Sequence, residues 1–346
     1  MNDVVLISIR YALATGATAL AVAIVQPSQP FLAVLAAYLF VARPFPGNAL
    51  AGYLVAAWSG VAAGLVLVAL FPQQFWLLLP AFAVVVVLGL RELSRRTGPS
   101  GVLLLAMGLC ATLPAGIVDP RGAVDAGWNH GANLTIGTLA AWLAFRLFAA
   151  PLPGPTPERK EISFSQAGFV AAVAIVALCA AAVLLPSASV VLEIAAVTTA
   201  LGLIQPPAQL GAKTAGALLG ALGAMVFDIL VAGYGNNLAA FLVALMTVFA
   251  ALAGLMQVRR DWTPTLAQGG AMFAVAAPML PAPDLSLAAM GTRVEAVCVG
   301  FLVATGLFGL LSCLTPIRYA NSSMAITLAA KKNSRSDSAC SKKPKP

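Results

Sequence analysis

The sequence predicts an all-α polytopic membrane protein: about twelve transmembrane helices in two parallel six-helix repeats, with both termini cytoplasmic. Three observations carry that expectation. Hydrophobic residues make up 60% of the chain and charged residues 9%, against about 25% charged in an ordinary soluble domain. A water-soluble core cannot hide that much apolar surface, so lipid has to cover it. Landmarks also recur, roughly 160–167 positions apart. Arg91-Glu92-Leu93-Ser94-Arg95-Arg96-Thr97-Gly98-Pro99 returns as Gln257-Val258-Arg259-Arg260-Asp261-Trp262-Thr263-Pro264. Ala106-Met107 returns as Ala271-Met272, each followed by a proline, Pro114 or Pro278. Ala42-Arg43-Pro44-Phe45-Pro46 matches Ile204-Gln205-Pro206-Pro207. Finally, basic residues fall in alternate loops, as a membrane topology signal requires.

In order, the predicted spans are 5–25, 30–43, 48–70, 74–90, 100–118, 131–149, 164–185, 188–204, 211–233, 237–257, 265–281 and 290–314. A bilayer of roughly 30 Å asks for about 20 residues. Spans 30–43, 188–204 and 265–281 are short and carry flanking or internal proline, which makes them tilted, broken or partly re-entrant. One side of the membrane receives Arg43, Arg91, Arg95, Arg96, Arg146, Arg159, Lys160, Lys213, Arg259, Arg260, Arg318 and the lysine-rich tail. The other receives Gln26–Gln29, Phe71–Gln74, Asp119–Asp125, Tyr234–Asn237 and Pro281–Ser286, with Arg121 its one basic residue. The positive side is the cytoplasmic one. An even number of spans per repeat makes the repeats parallel, not inverted.

The domains expected are a first repeat over 1–149, a proline-rich cytoplasmic linker over 150–163, a second repeat over 164–316 and a basic, disordered tail over 317–346. The stretch from Met1 to Val25 has one Arg at position 10 and no small-residue cleavage site before Gln26-Pro27, so it reads as a retained first helix. Cys110, Cys179, Cys298, Cys313 and Cys340 lack metal-ligand spacing; no metal and no cofactor is expected. The net charge of +8 sits in short loops without interleaved aromatic residues, which argues against nucleic acid as a partner.

Small residues mark the third span of each half: Gly52, Gly60 and Gly64, then Gly211, Gly216, Gly220 and Gly223. Such residues let membrane helices approach closely, so these are packing positions. Ionisable groups inside spans are more informative, because each costs free energy there. Glu193 lies in the eighth span, Asp228 toward the outer end of the ninth, and Arg293 with Glu295 at the start of the twelfth. Two readings stand for them: a static structural ion pair, or a substrate and proton pathway in which Glu193 titrates. Arg10 and Lys213 start helices on the cytoplasmic side, as interface anchors or as attractors for an anion. His130, the only histidine, reads as a solvated residue at an outer helix start, with a place on that pathway, beside Lys213, as the alternative.

Lys213-Thr214-Ala215-Gly216-Ala217-Leu218-Leu219-Gly220-Ala221, after Gln205-Pro206-Pro207, resembles the basic, small-residue helix of the fusaric acid resistance and aromatic acid exporter family. Asn133-Leu134-Thr135-Ile136-Gly137-Thr138 and Arg293-Val294-Glu295-Ala296-Val297-Cys298-Val299-Gly300 resemble its closing helix. The resemblance covers most of residues 5–314. It departs from the family at the linker, where many members carry a cytoplasmic domain, and at Asn48 to Gly52, where a basic residue would stand. It implies a multi-pass protein of the bacterial inner membrane that exports aromatic or other weak organic acids, driven by protons, with a periplasmic membrane-fusion protein as an eligible partner. Self-association into a homo-oligomer is left open.

No Walker loop, HExxH or nucleophile motif occurs, and a single histidine leaves triad chemistry without candidates, so no enzyme is expected. Three function classes compete: an exporter of small organic anions, a passive organic-anion channel on the same scaffold, and an accessory subunit of an export complex.

Overall fold

Alanine, leucine and valine fill the apolar runs. A helix is the way one segment satisfies its own backbone in lipid. The computed structural model describes residues 3–27, 30–41, 49–71, 74–96, 120–148, 210–232 and 237–277, with single helical positions within 101–112, within 164–175 and at 306. The elements are α1 (Asp3–Val25), α2 (Phe31–Val41), α3 (Ala49–Leu70), α4 (Phe75–Arg96), α5 (Pro120–Leu147), α6 (Leu210–Ala232), α7 (Leu238–Val258), a 3-10 turn (Arg260–Trp262) and α8 (Thr263–Ala276). No strand occurs among the described residues. Segments Asp3–Val25, Leu50–Leu70, Gly211–Val231 and Leu238–Val258 are each long and apolar enough to cross a membrane. That is the pattern of an α-helical membrane protein. The chain forms two compact units, Met1–Phe308 and Gly309–Pro346, and the described residues all belong to the first. The linker 150–163, the span 188–204, the span 290–314 apart from position 306, Pro114, the five cysteines and the tail lie outside the described residues.

Two boundaries differ from expectation. The fourth helix runs on to Arg96 instead of ending at 90, because Arg, Glu and Leu are good helix formers and no breaker intervenes before Gly98-Pro99. Helix α5 starts at Pro120, eleven positions before the predicted 131. Proline is well suited to the first helical position, and the polar 120–130 segment continues the helix instead of looping.

The faces are inside-out relative to a soluble protein. On α6 the buried row is Lys213, Gly216, Ala217, Gly220, Ala221, Ala224, Phe227, Asp228 and Val231, whereas Leu218, Leu219, Leu222, Val226, Ile229 and Leu230 are exposed. Small residues inside and large aliphatic ones outside suit helices packed in lipid. Helix α7 buries one narrow row: Phe241, Leu245, Phe249, Ala253 and Met256.

Packing partners are specific. Helix α6 lies along α8, α1 along α7, and α5 against α1, α2 and α3, with α2 touching α8. Gly216 and Gly220 abut the carbonyls of Thr265 and Gly269 so closely that a Cβ at either would overlap backbone. Gly60 abuts the Leu105 carbonyl in the same way, Gly64 faces Thr112 and the Leu109 carbonyl, and Gly137 meets the Ala33 carbonyl of α2. Expectation and structure part at three glycines: Gly52 is only half-buried, Gly211 is exposed with nothing within 4 Å of a Cβ there, and Gly223 is exposed, with Phe273 at an ordinary 3.8 Å.

The middle of the assembly holds two short helices. Nine of the 11 residues of α2 are buried, and its length of about 16 Å falls well short of a bilayer. Helix α8 is buried from Gln268 through Ala276. Tyr38 of α2 donates long hydrogen bonds to the carbonyls of Leu266 (3.4 Å) and Ala267 (3.3 Å), and its ring rests where a Cβ on Gly270 would stand. Gly270→Ala is therefore expected to cost about 1–3 kcal/mol by overpacking, read as a lower thermal midpoint of the purified chain in detergent. An unchanged midpoint contradicts this contact.

Candidate functional site

The short pair α2 and α8 is the natural place to look. A helix that stops inside the membrane leaves backbone groups without intrahelical partners, and such breaks line binding sites in transporters. The start of α8 is built by its sequence. Pro264 sits in its first turn, and the Thr263 hydroxyl donates to the Met256 carbonyl (3.1 Å), which ties the turn to the end of α7. The C-cap is Ala277, so the helix ends just before Pro278, the proline of this short span, and short of the predicted 281.

A continuous file of rings joins these helices. Tyr11 meets Tyr38 at 5.4 Å between centroids, Tyr38 meets Phe249 at 5.4 Å, and Phe249 meets Phe273 at 5.5 Å. Phe273 meets Phe227 at 5.3 Å, and Phe227 meets Phe241 at 5.8 Å. Most of these contacts are edge-on, the favoured geometry for aromatic pairs. The file links α1 and α2 to α6, α7 and α8. Sequence reasoning missed it. The available signal was tyrosine, scarce in this chain and in need of a partner for its hydroxyl when buried.

The ionisable residues fall where their helices put them. Lys213 (8% exposed) and Asp228 (5%) are both buried on α6, the helix that packs along α8. Fifteen residues separate them, about 22 Å along the axis, so they flank the two ends of one face and do not pair with each other. Arg10 is not the interface anchor expected of it. It is 1% exposed. Its Nε and Nη2 donate to the Phe148 carbonyl at 2.9 and 2.6 Å, and its guanidinium lies 4.8 Å from the Phe145 ring. A cation at a helix C-terminus is favourably placed, and here it ties α1 to the end of α5.

His130 is also corrected. It is a buried residue within α5, 2% exposed, and not a solvated loop histidine. The upstream extension of α5 carries it into the packed region. Its Nδ1 lies 2.8 Å from the Ala126 carbonyl. A carbonyl only accepts, so Nδ1 carries the proton of that bond. Glu193, Arg293 and Glu295 lie outside the described residues.

Polar atoms elsewhere on α5 stand out. Thr138 Oγ1 and Trp142 Nε1 are buried and make no hydrogen bond. An unmet buried donor costs about 1–3 kcal/mol. Among the described residues no group of acidic, histidine and cysteine side chains is arranged to hold a metal ion.

The chain matches no known family model, no curated protein and no solved structure. What the site does has to follow from its own side chains.

Proposed function

We propose that this chain is a secondary transporter of the bacterial inner membrane that moves aromatic or other weak organic acids outward, driven by protons. The observation that carries the reading is the burial of Lys213 and Asp228 on one membrane-length helix, which packs along the short helix α8. Charges inside apolar spans are expensive, and membrane proteins keep them where ions or substrates pass. Lys213, toward the cytoplasmic end by the positive-inside reading, supplies the cation that attracts a carboxylate. Asp228, toward the outer end, and Glu193 supply carboxylates for the coupled proton. The likeness to the aromatic acid exporters points to the same substrate class. No catalytic residue is assigned.

The reading includes two parallel repeats of six spans. Helix α3 meets the 101–112 segment through Gly60 and Gly64 at the carbonyls of Leu105 and Leu109; α6 meets α8 through Gly216 and Gly220 at those of Thr265 and Gly269. The glycine pair recurs 156 positions on and the carbonyl pair 160 positions on. The exposed indoles of Trp76, Trp128 and Trp262 suit interfacial belts, the first two on the outer side and the third on the cytoplasmic side.

The test is efflux of a panel of aromatic carboxylic acids from cells expressing the chain alone, in wild type, Asp228→Asn, Glu193→Gln and Lys213→Gln. Uncoupler-sensitive efflux that falls about tenfold or more with a carboxylate variant supports the reading; Lys213→Gln should chiefly raise KM. Uncoupler-insensitive flux that ignores the carboxylates means a channel. Flux that needs a co-expressed protein means an accessory subunit.

A further inference from the structure

Row by row, the face of α5 toward α3 is polar. Gly131, Thr135, Thr138 and Trp142 recur at helical spacing on that face. The first two hold Trp58 of α3: a Cβ on Gly131 would meet its ring at 2.5 Å, and Trp58 Nε1 donates to Thr135 Oγ1 at 3.1 Å. Trp58 thus shows how a buried indole N–H of this molecule is ordinarily satisfied. Trp142, two turns further along the same row, has a buried Nε1 with no partner.

Thr138 departs from its neighbours in the same sense. Thr15, Thr18, Thr112, Thr135 and Thr247 each donate to a carbonyl one turn back. The Thr138 hydroxyl, fully buried, bonds to nothing. Two unused buried groups, both able to donate, therefore sit one turn apart on one face, about 5–6 Å between Cβ atoms. Such groups call for an acceptor from outside the chain: a water, or an oxygen of a ligand. A cation stands next to one of them: the Arg146 guanidinium lies 5.6 Å from the Trp142 ring centroid.

We propose that Thr138 Oγ1 and Trp142 Nε1 form a subsite for the carboxylate of an organic anion, reached past Arg146. The subsite stands on these contacts, while the choice of an organic acid rests on the transport reading above. The hydroxyl and the indole N–H each donate to a carboxylate oxygen, and the guanidinium favours the charged form of the ligand over a neutral one.

The experiment is solution NMR of the full chain in detergent with 15N-labelled tryptophan. The Trp142 indole resonance is assigned as the one missing from Trp142→Phe, and benzoate is titrated beside benzyl alcohol. The expected result is a saturable shift of that resonance with benzoate and not with benzyl alcohol. Benzoate affinity should fall about tenfold or more in Thr138→Val and Trp142→Phe, the loss of one hydrogen bond to a charged group. A resonance that stays still under benzoate and shows only exchange with a bound water overturns the subsite, even if benzoate is transported. A shifting resonance in a chain that transports nothing keeps the subsite and removes the transport reading. If Trp142→Phe fails to fold, the resonance is assigned by elimination, through Phe substitutions at Trp58, Trp76, Trp128 and Trp262, and the wild-type titration still decides.

Discussion

Gly220→Val is expected to cost about 3 kcal/mol or more and to abolish the monodisperse folded species in detergent. Gly216 and Gly220 rest directly on the carbonyls of Thr265 and Gly269, and a Cβ on Gly269 would in turn meet the Gly216 carbonyl at 3.1 Å. What lies opposite is backbone, which no rotamer change can move aside. A side chain at 220 must push α6 and α8 apart, giving up close packing that membrane helices cannot recover from a hydrophobic effect. Because α8 also seats Tyr38 and Phe273, the separation spreads into the ring file. Gly223→Ala is the control. Its nearest neighbour, Phe273, is in ordinary contact at 3.8 Å, and a change within about 0.5 kcal/mol is expected. Denaturation of both variants beside wild type checks this; equal stability of the two contradicts it.

Arg10→Ala is expected to cost about 2–4 kcal/mol. It removes both bonds to the Phe148 carbonyl and the contact over Phe145, and it leaves a cavity where a fully buried side chain stood. Arg10→Lys keeps the charge but not the planar fork that reaches one carbonyl with two N–H groups, so it should restore less than half of the loss. Thermal midpoints of the three proteins measure this. Full rescue by lysine would mean that charge alone matters at the end of α5.

The class of fold was legible because it depends on local quantities. Apolar runs of sufficient length, small residues at the third spans and prolines beside short spans each announce themselves within a few positions. The shortness of α2, and an α8 that ends before Pro278, followed from the same signals. What was not legible is contact between distant positions. Arg10 looked like an interface anchor because nothing near it in sequence reveals a carbonyl 138 positions away. His130 looked solvated because Asp125, Gly127 and Asn129 read as loop, whereas they continue a helix from Pro120. Tyr38 depends on Gly270, and Thr138 and Trp142 matter only because their donors go unmet, which no pattern of residue types announces. Of the pathway residues named from the sequence, Lys213 and Asp228 are found buried on one face of α6, and Glu193, Arg293 and Glu295 lie outside the described residues.

The central claim is that this chain alone couples proton movement to the passage of an organic acid. Its most direct test is reconstitution of the purified chain into liposomes, with an imposed pH gradient and labelled benzoate, wild type beside Asp228→Asn. The account predicts benzoate movement against its own gradient that collapses with an uncoupler and is lost in the variant. Benzoate that only equilibrates, at the same rate in both proteins and with or without the pH gradient, would contradict it.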